Sequence, residues 1–118
     1  MGTVLVVDDS PTDLHLLNGY LVNHGFNTIQ ATSGEEAIQK AASEHPDLIL
    51  MDVVMPGMNG FQATRSLSKN PETRDIPVIV VTSKSQETDK IWAMRQGARD
   101  FVSKPVDEST LIDMIRNL

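Results

Sequence analysis

Three short apolar runs constrain this chain more than any other feature: Val4–Val7, Leu48–Met51 and Val78–Val81. Each is built from Val, Ile, Leu or Met with no polar residue alternating between them. A strand with that pattern has to be covered on both faces, which places it inside a parallel sheet flanked by helices. Two weaker candidates, Phe26–Ala31 and Asp100–Ser103, are shorter or alternate, as edge strands do.

Helical patterns fill the intervals. Ser10-Pro11 offers an N-cap followed by proline at the first helical position, after which Leu14, Leu17 and Leu21 share one face. Ser33-Gly34-Glu35-Glu36 reads as a capping box opening a helix through about Glu44. Further patterns cover Gly60–Lys69, Gln86–Gln96 and Glu108–Leu118, with Gly97 placed to stop the fourth helix and Asp107 to cap the fifth. Strand and helix thus alternate five times over 118 residues, with no linker, repeat or low-complexity segment. Right-handed crossovers then give a single α/β domain, a doubly wound five-stranded parallel sheet with helices on both faces. The order 2-1-3-4-5, a known doubly wound arrangement, satisfies the placing of the weak strands at the edges, and in it the chain reverses direction between the first and third strands. A ligand site belongs outside the carboxyl ends of those strands.

The residues expected there are polar and follow directly on apolar runs: Asp8-Asp9, Asp52, Thr82-Ser83 and Lys104-Pro105. Carboxylates brought together this way repel. At about 4 Å and an effective dielectric near 20, each pair costs on the order of 4 kcal/mol. A hard cation relieves that cost, and oxygen ligands that leave room for water favour Mg²⁺. With a hydroxyl and an ammonium facing the same spot, the set can hold a phosphoryl group, and a carboxylate can itself take one up as an aspartyl phosphate. A single Asp after a strand is usually a cap or turn former. Several such positions converging at the switch point are not explained that way.

Asp8-Asp9, the run Asp52-Val53-Val54-Met55-Pro56-Gly57-Met58-Asn59-Gly60, Thr82 and Lys104-Pro105 resemble the receiver domain of two-component response regulators. The resemblance extends from Thr3 to Leu118 and implies the flavodoxin-like arrangement of CheY. It implies that Asp52 is the phospho-acceptor. Mg²⁺ would be bound by the side chains of Asp9 and Asp52 and the backbone carbonyl of Val54, with Asp8 acting mainly through a bound water. Thr82 and Lys104 would each contact a phosphoryl oxygen, and Lys104-Pro105 would be a cis peptide. Gly60–Arg65, Gln86–Lys90 and Arg95–Asp100 are similar to stand-alone regulators of type IV pilus twitching motility, nearest the PilH type. Val54 is apolar where many receivers carry a polar side chain beside the path of hydrolytic water, a difference that bears on phosphoryl lifetime.

By the same resemblance the chain is a signalling domain and not a dedicated enzyme. Its expected partners are a sensor histidine kinase of CheA-like kind and a downstream protein target, in the cytoplasm. No helix-turn-helix follows the fifth helical pattern, so output is expected through protein contact. Phe101 stands where receivers carry an aromatic that rotates inward on activation. Trp92, the only tryptophan, is expected to stay partly exposed as a partner anchor while Ala93, Met94 and Gly97 face inward. The loop after Thr82 would carry a shift to that helix. His15, His24 and His45 read as surface residues, and Met51, Met55 and Met58 as core and loop filling.

Other function classes fare worse. Sixteen acidic against ten basic residues give a net charge of −6, which disfavours nucleic acid and anionic membrane as partners. No apolar stretch approaches the roughly 20 residues of a membrane span, and no secretory leader opens the sequence. Cysteine is absent, excluding thiolate chemistry. A nucleotide-binding domain or flavodoxin would want a glycine-rich loop where Asp-Asp-Ser-Pro stands. An Asp-x-Asp phosphatase motif is missing. A degenerate receiver serving as a passive adaptor would have lost one of Asp9, Asp52, Thr82 or Lys104, and all are present. A phosphate sink or a receiver of another pathway remains as the alternative.

Overall fold

The computed structural model describes residues 2–83 and 86–118. Its strands are β1 (Thr3–Val7), β2 (Asn27–Ala31), β3 (Leu48–Asp52), β4 (Val78–Thr82) and β5 (Asp100–Ser103). Its helices are α1 (Pro11–Asn23), α2 (Gly34–Glu44), α3 (Gly60–Lys69), α4 (Glu87–Arg95) and α5 (Glu108–Arg116). All strand pairs are parallel, and the sheet order is β2-β1-β3-β4-β5. The expected topology is the observed one.

The missing alternation in the apolar runs now has its physical cause. In β1, Val4 and Val6 pack with Leu14, Leu17 and Leu21 of α1 and Leu111 and Ile112 of α5. Leu5 and Val7 face the other way, onto Ala37 and Ala41 of α2 and Ala63 and Leu67 of α3. Both faces are dry, so neither can be polar. A third cluster joins Val53, Val80, Ala93 and Ala98, with Phe61 and Phe101 packed partly against it.

The helix ends follow local chemistry. Ser10 accepts the Asp13 amide, with Pro11 at the first helical position of α1. Asp107 accepts the Thr110 amide at the start of α5. Gly97 takes φ +104 and ends α4, and a side chain there would also meet Ser68. One expectation is corrected: Ser33 caps α2, but the Glu36 carboxylate reaches past it to the Thr32 amide at 2.6 Å, so the box does not close on itself. The reciprocal capping box instead opens α3, between Asn59 and Gln62. Helices α4 and α5 are each shorter at their ends than the sequence pattern allows, with Gln86 outside as the N-cap and Asn117 outside as the C-cap.

Candidate functional site

Strand register builds the site. Val7 pairs with Met51, so the residues next along, Asp8 and Asp52, emerge side by side. Asp52 pairs with Val81, which brings Thr82 to the same edge one residue further on. Thr82 pairs with Ser103, and its carbonyl accepts the Lys104 amide at 2.9 Å, which draws the β5–α5 junction in. Asp8, Asp52 and Thr82 are all buried, whereas Asp9 is exposed at the mouth. Carboxylate oxygens of Asp8, Asp9 and Asp52 lie within 4.8 Å of one another. The Lys104-Pro105 peptide is cis, as the resemblance implied.

Lys104 is the fixed cation of this cluster. Its Nζ donates to Asp8 Oδ2 at 2.8 Å and to Asp13 Oδ2 at 2.9 Å, and it stands 3.4 Å from Asp52 Oδ1. Asp8 is further held through Oδ1, which accepts the Ser10 amide at 2.9 Å. Burial, with the Asp8 charge beside it, pushes the Asp52 carboxyl up to about 6 against the opposing pull of Lys104. Burial works against the charge on Lys104, but the hydrogen bonds to Asp8 and Asp13 outweigh it and hold the ammonium above the usual lysine range. One ammonium among four carboxylates leaves the site electron-rich. A hard divalent cation suits what remains, because the donors are all oxygen, close together, and open to water on the Asp9 side.

The loop after β3 keeps this edge accessible. A Cβ on Gly60 would lie 1.9 Å from the Asp52 carbonyl oxygen, and the Gly60 amide donates to the Val53 carbonyl at 2.9 Å. Only glycine lets α3 begin so close to the strand end. Gly57 takes φ +74 within the same loop. Val54 turns outward and is exposed, lining a cleft with Val53, Met55, Gly57, Asn59 and Phe61. An adjoining cleft shares Asn59 and Phe61 and reaches Trp92 on α4.

Asp13 is the site residue that sequence reasoning missed. The available signal was its place on the third residue of α1, where side chains tilt back toward the helix start and hence toward the strand ends. Trp92 lies outside the site and is 50% exposed, as expected. Met94 does not face inward: at 43% exposed it joins Ile91 and Trp92 on the outer surface, and Gly97 is exposed too, leaving Ala93 as the buried residue of α4. Phe101 is partly buried against the third cluster. His24 is half-buried and pairs with Glu108 at 2.9 Å, tying the end of α1 to the start of α5, so it is not a simple surface residue. The expected relay through the loop after Thr82 falls partly on Lys84 and Ser85, which lie outside the described residues.

Comparison with known proteins agrees with this geometry. The response regulator receiver domain family matches residues 4–116. Protein PilH of Pseudomonas aeruginosa is 55% identical over 98% of this chain and 95% of its own length. The polar-differentiation response regulator DivK of Brucella ovis is 34% identical over 98% and 94% respectively. The structure of Vibrio cholerae chemotaxis protein CheY4 superposes with a TM-score of 0.93 at 28% identity, covering 99% of this chain and 98% of that one. With its fold and nearly its whole length matched, the chain belongs to the response regulator receiver domains.

Proposed function

We propose that Asp52 accepts a phosphoryl group from a phosphohistidine on a sensor histidine kinase of CheA-like kind, and that the chain signals by contact with a downstream protein. The observation that carries this is the buried Asp52 carboxylate, 3.4 Å from a fixed ammonium and beside two further carboxylates. A buried carboxylate is poorly solvated, so little water has to be stripped from it before it attacks. Its oxygen would attack phosphorus in line as the phosphorus–nitrogen bond breaks, and the bonding pair returns to the imidazole. The product is an acyl phosphate on Asp52. Lys104 and the Thr82 hydroxyl would each take a phosphoryl oxygen, biasing a pre-existing equilibrium between conformers. Asp9, Asp52 and the Val54 carbonyl would hold Mg²⁺, with Asp8 contributing through water. When bound, the ion neutralises charge on the carboxylate and phosphoryl oxygens.

The likeness to PilH supports a place in the control of type IV pilus twitching motility, in the cytoplasm. Among the described residues no helix is long and apolar enough to cross a membrane. Mass spectrometry of the intact protein tests the chemistry. With Mg²⁺ and acetyl phosphate, or a cognate kinase, one phosphoryl adduct should form and be lost in hydroxylamine. The same adduct on Asp52→Asn would place the acceptor elsewhere.

A further inference from the structure

We propose that Asp13 is a latch on Lys104: it holds the ammonium while Asp52 is unmodified and is the partner released when a phosphoryl group arrives. This rests on the reading of Asp52 as acceptor. An ammonium has three N–H donors. Asp8 and Asp13 take two at hydrogen-bond distance, and the remaining, longer contact goes to Asp52. Phosphoryl oxygens on Asp52 carry more charge than the carboxylate oxygen now 3.4 Å away, so they draw Nζ toward Asp52 and lengthen one of the two shorter contacts. Asp8 is 1% exposed, and without Lys104 its buried charge would be left with the Ser10 amide and no cation. The Asp13 side chain is 37% exposed and can exchange Lys104 for water at small cost. Asp13 is therefore the partner that lets go. It sits in the first turn of α1, outside the cluster of Asp8, Asp9 and Asp52, so its release need not disturb the cation-binding carboxylates.

A latch present only in the unmodified state opposes modification, and removing it should favour the modified state. Beryllofluoride, which mimics the phosphoryl group on a carboxylate, reads this equilibrium without any turnover. Calorimetric titration of the protein with beryllofluoride in excess Mg²⁺ should show Asp13→Asn binding about two- to fivefold tighter than wild type. Asp13→Glu, which restores the carboxylate, should return most of the way to wild type. Asp113→Asn removes the same charge from the exposed side of α5 and should leave affinity unchanged. Equal or weaker binding by Asp13→Asn overturns the latch. So does an equal gain in Asp113→Asn, which would make the effect one of net charge. If wild type takes no beryllofluoride, or Asp52→Asn takes it equally well, the reading of Asp52 fails first and the latch falls with it.

Discussion

Helices α3 and α4 lie next to each other in space but are held by different amounts of protein. Helix α3 buries Gly60, Ala63, Thr64 and Leu67, closes a capping box at its start, and back-bonds Thr64 Oγ1 to the Gly60 carbonyl at 2.7 Å. Helix α4 buries Ala93 alone and turns Ile91, Trp92 and Met94 outward. The chain thus fixes the loop behind Asp52 firmly and leaves the element beyond Thr82 attached by little. A helix with few buried apolar contacts is among the cheapest elements to re-pose. The contrast suits a site that must stay put beside a surface that must respond.

The sharpest way to break this comparison is to truncate both helices. Leu67→Ala removes a fully buried side chain and should cost about 2–5 kcal/mol in urea unfolding. Ile91→Ala, on the exposed face of α4, should cost less than about 1 kcal/mol. Comparable losses would mean that α4 is held as firmly as α3. Gly60→Ala tests the loop itself. Its Cβ would collide with backbone atoms of Asp52 and Val53, and a loss of about 3 kcal/mol or more is expected.

The carboxylate edge is fixed and also under electrostatic load, and that load has a pH signature. The folded-state carboxyl of Asp52 stands at about 6 against an ordinary 3.8, so between those values the folded state holds the proton better than the unfolded one. Stability therefore falls as pH rises through that window, by on the order of 3 kcal/mol in full. Asp52→Asn has no such group to ionise. In EDTA, its advantage over wild type should be small below about pH 4 and reach its full size above about pH 6. A pH-independent difference would assign the effect to packing instead. Added Mg²⁺ should narrow the gap by stabilising wild type.

Much of the fold and part of the site were legible in sequence for one shared reason. Strands covered on both faces cannot alternate, so β1, β3 and β4 announced themselves, and Asp8, Asp52 and Thr82 were found by following those runs to their ends. What escaped depends on distant partners. Asp13 meets Lys104 across 91 residues, and by type alone an acid in a first helical turn is only a dipole partner. His24 meets Glu108 across 84 residues. The inward face of α4 was misjudged at Met94 because so little of that helix is buried that its apolar residues follow no single stripe. Gly60 stood in a recognisable run, but the reason for it, the approach of α3 to the Asp52 carbonyl, belongs to the folded chain.

The smallest expected effect is the one that joins the two regions. Thr82 is buried at the end of β4, and its carbonyl is tied to the Lys104 amide, so groups drawn toward Asp52 from either residue pull on one junction. Phe101 pairs with Val80 across β4 and β5, and its ring packs in the cluster that holds Ala93. A shift of Thr82 toward Asp52 would therefore be felt at the one buried anchor of α4. Trp92, next to that anchor and half exposed, should report it as a change of emission when beryllofluoride and Mg²⁺ are added. Thr82→Ala should remove most of that change while leaving Mg²⁺ affinity nearly intact, because the hydroxyl is no part of the carboxylate cluster. Amide exchange should change over Lys90–Trp92 and Phe101 as well as at the site. If exchange changes stay within the Asp9, Asp52 and Lys104 loops, the weak attachment of α4 has no part in the response, and Trp92 loses its standing as a partner anchor.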